Sequence, residues 1–96
     1  MDDAEVRSAI EALGRYLLAY PHASDTAAGI ANWWMGPGRT VSMESLNRAL
    51  LRLLEFGVLE QRVGGDGQAF YRRCCSDADL AAALAAVRRA GSRSSH

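Results

Sequence analysis

The chain has 96 residues, of which 49% are hydrophobic and 23% charged, as is typical of one small domain with a single core. The formal net charge is zero, which argues against a general binder of polyanions, and no apolar run approaches the roughly 18 residues of a membrane span. The acidic, patterned N-terminal segment is unlike a secretory or mitochondrial signal, so we expect a cytoplasmic protein.

Charge is unevenly distributed along the sequence. Residues 39–73 carry six arginines against four acidic side chains, whereas acidic side chains outnumber basic ones in residues 1–25. The sequence contains no lysine, and arginine makes planar bidentate contacts to guanine edges and phosphates. A GC-rich coding bias explains the arginine and alanine content equally well.

Two helices are predicted in the first third of the chain. Apolar residues at helical spacing predict the first helix over Asp3–Tyr20, and Pro21 ends it. Its expected buried stripe is Val6, Ile10, Leu13, Leu17 and Tyr20. The second helix is predicted over about Thr26–Met35, with Ser24 or Asp25 as the N-cap.

Several side chains in this part have two interpretations. Of the adjacent Trp33 and Trp34, one is expected in the core and one at its margin, while the alternative is a tryptophan that stacks on a ligand or partner. Leu18 points away from the apolar stripe and suggests a subunit contact. His22 is interpreted as a surface turn residue, with a metal or pH-sensing role as the alternative.

The segment Val41–Arg73 predicts an amphipathic helix followed by a hairpin. Ser42 caps the helix, which spans about residues 42–56, and Gly57 ends it where a left-handed conformation is needed. The expected apolar arc is Met43, Leu46, Leu50, Leu53 and Leu54. The expected outward residues are Ser45, Arg48 and Arg52, with Glu44 and Glu55 beside them.

The hairpin is predicted over residues 58–73, with the glycine-rich segment Gly64–Gly67 as its loop. Its buried face is expected to hold Leu59 and Val63 with Phe70 or Tyr71. The short segment Arg39–Val41 is predicted to be extended and to add a third strand beside the hairpin.

A last helix is predicted from Ser76 or Asp77 to about Ala90. Its apolar stripe is thin, so it needs either the first helix or a second subunit to pack against. Residues 1–90 are therefore expected to form a single domain, and residues 91–96 a disordered polar tail.

These elements predict a mainly helical α+β fold in the order helix, helix, short strand, helix, hairpin, helix. This order resembles the winged helix-turn-helix superfamily, including small bacterial repressors of the MarR, ArsR and PadR kinds. The segment Ser42–Leu59 carries the resemblance, because polar positions precede a leucine-spaced helix that ends in glycine and two apolar residues. The glycine-aspartate-glycine loop followed by Tyr71 is similar to a wing.

The resemblance implies a sequence-specific DNA-binding transcriptional regulator, expected to be a homodimer without a cofactor, whose small-molecule effector is unknown. The third helix would enter the major groove, and the hairpin would act as the wing. The residues placed toward DNA are Arg39, Ser42, Glu44, Ser45, Arg48, Arg52, Arg62, Gln68 and Arg72. Arg48 and Arg52 would contact guanine O6 and N7, whereas Ser42, Ser45 and the helix N-terminus would hold phosphates.

The alternative function is a winged-helix module that binds protein and not DNA. It is supported by the neutral net charge, by Asp66 at the loop tip, by the tryptophan pair and by Leu51 at the edge of the polar face. A separate alternative is that the polar face of the third helix is only a solvated strip of ion pairs, among them Glu44 with Arg48.

Catalysis is not expected, because the sequence has no HExxH motif, no phosphate loop and no spaced cysteine and histidine cluster. The adjacent Cys74 and Cys75 are interpreted as one exposed and one packed thiol. A dimer disulfide, or a thiol or metal sensor on the same fold, is the remaining alternative.

Overall fold

The computed structural model describes residues 3–35 and 41–93, and within those ranges it contains four helices and one antiparallel sheet. In chain order the elements are α1 (Asp3–Ala19), β1 (Ser24–Asp25), α2 (Ala27–Gly29, continued by a π-helical turn Ile30–Trp34), α3 (Met43–Glu55), β2 (Leu59–Val63), β3 (Ala69–Arg73) and α4 (Asp77–Arg93). The predicted class, mainly helical with a small β component, is confirmed.

The helix α3 and the hairpin after it form where local sequence signals place them. Ser42 caps α3, since its hydroxyl accepts a hydrogen bond of 3.1 Å from the Ser45 N–H. Gly57 follows the helix with a φ of 78°, a conformation that costs a residue with a side chain about 1–2 kcal/mol. The strands β2 and β3 then pair antiparallel.

The third strand of the sheet differs from the prediction. It is Ser24–Asp25, which pairs with the free edge of β3 to give the strand order β1-β3-β2. These residues were expected to cap α2, but Thr26 does so instead, accepting a 3.2 Å hydrogen bond from the Gly29 N–H. Val41 is not in a strand, and the rest of the predicted strand lies outside the described residues.

The core lies between α1, α3 and α4 and extends to the start of β2. Its fully buried large side chains are Ile10, Leu13, Leu17, Ile30, Leu46, Leu50, Leu53, Val58 and Leu80. The base of the hairpin is therefore fixed to the helices, while its far end projects into solvent. Among the described residues, no helix combines the length and apolar character needed to cross a membrane.

The last helix packs against α1, which is one of the two partners that its thin apolar stripe allowed. Gly14 permits the close approach, because a Cβ at this position would lie 2.6 Å from both Cδ atoms of Leu84. Beside this contact, Arg88 Nε donates a 3.0 Å hydrogen bond to Glu11 Oε1. Helix α4 continues to Arg93, three residues beyond its predicted end near Ala90.

Aromatic side chains cluster where α2 meets α1. Trp34 is buried and stacks on Tyr16 with ring centroids 5.0 Å apart, whereas Trp33 is 73% exposed. The prediction of one buried tryptophan is confirmed, whereas the second, expected at the margin of the core, is largely exposed. Tyr20 is exposed and not buried as expected, because α1 ends at Ala19 and Tyr20 no longer follows the helical period.

Arg73 joins three elements at the edge of the core. Its side chain is only 8% exposed, and its guanidinium donates hydrogen bonds to Leu17 O at 3.1 Å and Cys75 O at 2.7 Å. It also forms an ion pair with Asp77, in the first turn of α4. Arg73 therefore ties the end of β3 to the end of α1 and the start of α4.

Candidate nucleic-acid interface

The outward surface of α3 is the region that the sequence predicted to meet DNA. Its buried side holds Leu46, Ala49, Leu50 and Leu53. Helical spacing places an exposed set on the opposite side. This set is Glu44, Asn47, Arg48, Leu51, Arg52 and Glu55. The outward surface of α3, defined by these six residues, therefore carries two cations, two anions and an apolar side chain at its centre.

The buried arc is rotated relative to the prediction. Ser45, expected on the outward surface, is buried beside Ala49, while Met43, expected in the apolar arc, is exposed. Ser45 and Ala49 are small, and they lie on the side of the helix that packs against the core. The assignment of Ser45 to the groove-facing surface is therefore wrong.

The N-terminus of α3 is occupied by a side chain from α1. Glu5 Oε1 accepts hydrogen bonds from the Ser42 N–H at 3.2 Å and the Ser42 hydroxyl at 3.0 Å. The Ser45 hydroxyl and these Ser42 groups hold the pKa of Glu5 below its ordinary value. The donors predicted to bind phosphate thus already bind a carboxylate, which also favours the positive end of the helix dipole.

The two arginines of the outward surface differ in their partners. Arg48 forms an ion pair with Glu44 one turn earlier, with a nitrogen-to-oxygen distance of 3.6 Å. Such an exposed pair is worth only about 0.3–0.5 kcal/mol, so Arg48 can leave it at little cost. Arg52 has no ion-pair partner among the described side chains.

The hairpin side chains predicted to meet DNA also separate into two kinds. Arg72 is paired with Glu60, which lies directly opposite it in the sheet. Arg62 makes no ion pair with any described residue and is exposed. Gln68 lies at the loop with its side chain exposed, and its N–H donates a 3.1 Å hydrogen bond to Asp66.

Asp66 has a structural function in the hairpin loop. Its carboxylate accepts from the N–H two residues later, an arrangement that closes tight turns. Gly67, with a φ of 85°, completes the loop. Beyond the base of the hairpin the strands leave the core, so Val63, which was predicted to be buried, is 69% exposed.

The remaining candidates from the sequence are Arg39, the two cysteines and a metal site. Arg39 lies outside the described residues. Cys74 is exposed, and burial raises the pKa of the half-buried Cys75 thiol. In the part of the chain that the structure describes, no group of three or more histidine, cysteine, aspartate or glutamate side chains could hold a metal ion.

The structural contacts of Glu5 and Arg73 have no counterpart among the features predicted from the sequence. The sequence did not indicate the contact between Glu5 and Ser42, which are 37 residues apart. Arg73 was counted among the basic residues of the second half, although its guanidinium is used inside the protein. Both contacts join distant segments, so no local pattern could indicate them.

Comparisons of the chain with models of protein families, with curated proteins and with solved structures return no match.

Proposed function

We propose that the chain is a winged helix-turn-helix domain that binds duplex DNA sequence-specifically and regulates transcription. The order α1-β1-α2-α3-β2-β3, with β1 paired to β3, supports this proposal because an exposed helix precedes a projecting hairpin. The observation that carries it is the presence of two exposed arginines, Arg48 and Arg52, on the outward surface of α3.

Recognition would proceed through arginine contacts in the major groove. A bidentate contact from arginine to guanine O6 and N7 is worth roughly 1–3 kcal/mol of discrimination. This exceeds the roughly 0.3–0.5 kcal/mol of the pair between Arg48 and Glu44, so DNA would win the competition for Arg48. Arg52 would need to break no ion pair, and Arg62 would meet the DNA backbone from the hairpin.

The test is selection of bound sequences from random duplex DNA by the full chain and by an Arg48→Ala/Arg52→Ala variant. We expect one enriched sequence for the natural chain and no enrichment for the variant. The matched control is Arg15→Ala/Arg89→Ala, which removes the same charge from exposed positions on α1 and α4. The control should enrich the same sequence as the natural chain.

Two results would contradict the proposal. One is the absence of any enrichment at low salt by a chain whose circular dichroism shows it to be folded. The other is an equal loss of enrichment in both double variants, which would mean that total charge and not the outward surface of α3 determines binding.

The proposal includes a homodimer, because most operators of this kind have two half-sites related by two-fold symmetry. Leu18 remains exposed on α1 and is available for such a contact. Analytical ultracentrifugation over the micromolar range should give the mass of two chains. The mass of one chain throughout that range would remove the dimer from the proposal.

A second candidate function is docking of a protein partner on the same surface. The observation that favours it is Leu51, which is 55% exposed at the centre of the outward surface, with the ends of the helix adding exposed Met43 and Phe56. An apolar centre ringed by polar residues is typical of a protein interface. Leu51→Ser should then abolish partner binding, whereas it should weaken DNA binding far less than the double arginine variant.

A further inference from the structure

The outer face of the sheet carries a groove, and of its lining residues the proposed function uses only Arg62, at the DNA backbone. Cross-strand pairs place Arg62 beside Phe70 and Ser24 beside Arg72, and alternation along each strand puts all four on one face. His22, in the turn before β1, closes one side of the groove. The opposite face of the same strands packs on the core through Leu59 and Tyr71.

The groove combines hydrogen-bond donors with one aromatic ring. Arg62 contributes a guanidinium with no ion-pair partner among the described residues, and Ser24 and His22 are exposed beside it. Arg72 gives its Nε–H to Glu60, which neutralises its charge but leaves the other donors of the fork. Phe70 is half-buried and supplies the apolar surface.

We propose that this groove binds a nucleotide, with the phosphate against Arg62 and the base against the Phe70 ring. The volume of the groove, about 370 Å³, falls in the range of small-ligand sites. A phosphate can accept from several donors at once, and the lining of the groove offers the Arg62 guanidinium, the Ser24 hydroxyl and the His22 imidazole. The flat face of a base stacks on an aromatic ring whatever the base is.

The nucleotide can be a free nucleoside monophosphate or an unpaired nucleotide of a nucleic-acid strand. The two sources present the same phosphate and the same exposed base. A duplex does not present an exposed base, because its bases are paired and stacked on one another. The site is therefore distinct from the outward surface of α3 and does not depend on duplex binding there.

The test is a titration of the full chain with adenosine monophosphate, followed by the chemical shifts of its backbone amides. The largest shifts should fall in β1, β2 and β3 and leave α3 unmoved. Adenosine without phosphate, and inorganic phosphate alone, should each bind at least about tenfold more weakly, since each lacks half of the ligand. The other nucleoside monophosphates should bind with similar affinity, because stacking tolerates any base.

Substitutions of Arg62 and Phe70 test the phosphate contact and the base contact separately. Arg62→Gln and Phe70→Leu should each weaken binding at least about fivefold, the lower end of what one stacked base or one charged contact supplies. Phe70→Tyr keeps the ring and should bind as the natural chain does, which protects the test against a folding defect. Arg15→Gln is the matched control for the lost charge and should also bind normally.

A single-stranded oligonucleotide identifies the source of the nucleotide. If it binds more tightly than the monophosphate and shows the same dependence on Arg62 and Phe70, an unpaired strand is the ligand, and if not, the free nucleotide is. The inference is overturned if the folded chain shows no shift at about 10 mM nucleotide, or if Arg62→Gln and Phe70→Leu bind undiminished. The selection of duplex DNA with the Arg48→Ala/Arg52→Ala variant is a different experiment, so either proposal can fail while the other holds.

Discussion

The junction around Arg73 and the outward surface of α3 use the same residue type in opposite ways. At the junction, the guanidinium donates to two backbone carbonyls and a carboxylate, which lie at the end of α1 and at the start of α4. On α3, Arg48 has a single weak partner and Arg52 has none among the described residues. An arginine with its donors satisfied internally stabilises the fold, whereas an arginine with free donors can bind something else.

The largest effect on stability is expected from Arg73→Ala. Removing the guanidinium leaves Leu17 O without this donor and removes the ion pair with Asp77, so we expect a loss of about 2–4 kcal/mol in the free energy of unfolding. Urea denaturation of the natural chain and of the variant measures this loss. The neighbouring exposed Arg72→Ala should cost less than about 1 kcal/mol, and equal losses would contradict the comparison.

A smaller loss is expected where α1 and α4 meet beside this junction. Gly14→Val places a branched side chain against the buried Leu84, and overpacking of this kind costs about 1–3 kcal/mol. Gly14→Ala should change stability less, because its gain in helix propensity of about 1 kcal/mol opposes the clash. Thermal unfolding checks both, and a stabilised valine variant would show that the two helices do not approach as closely as described.

The third prediction concerns the N-terminus of α3. There Glu5 accepts hydrogen bonds from Ser42, so these polar groups are satisfied inside the protein, as the donors of Arg73 are. Since the folded state lowers the pKa of Glu5, its contribution to stability is present above the unfolded pKa and is lost as pH falls through the folded pKa. The natural chain should therefore lose more stability than Glu5→Gln as the pH falls through this acidic window. If urea denaturation shows that both chains lose the same amount of stability over this pH range, Glu5 is not held by Ser42 and Ser45.

The smallest effect is expected on the outward surface of α3. Glu44→Gln removes the pair with Arg48 and should lower stability by no more than about 0.5 kcal/mol. The same variant removes a negative charge that would face DNA, so duplex affinity should rise. A large loss of stability in Glu44→Gln would show that Arg48 stabilises the fold, as Arg73 does, and would contradict the comparison.

Elements with a local signal were predictable from the sequence. The capping serine and terminal glycine placed α3 within one residue of its bounds, and the glycine-rich loop placed the hairpin equally well. The two-residue strand β1 was missed because Ser24 and Asp25 carry no alternation and favour helix caps. It exists because β3 offers a free edge, which is a property of the folded chain.

The candidate site was predictable only in part for the same reason. The exposed position of Arg48 and Arg52 follows from helical periodicity, and it was predicted. The burial of Ser45 and its contact with Glu5 depend on how α1 packs on α3, which no spacing within α3 reveals. The distinction between Arg72 and Arg73 likewise depends on which face of β3 meets the core.

The most direct test of the central claim is the affinity for duplex DNA measured by fluorescence anisotropy over a series of salt concentrations. We expect the natural chain to bind at low salt and the logarithm of its affinity to fall linearly with the logarithm of the salt concentration. We also expect Arg48→Ala/Arg52→Ala to weaken binding at every salt concentration. Binding unchanged by that double substitution, or no binding by the folded chain at low salt, would contradict it.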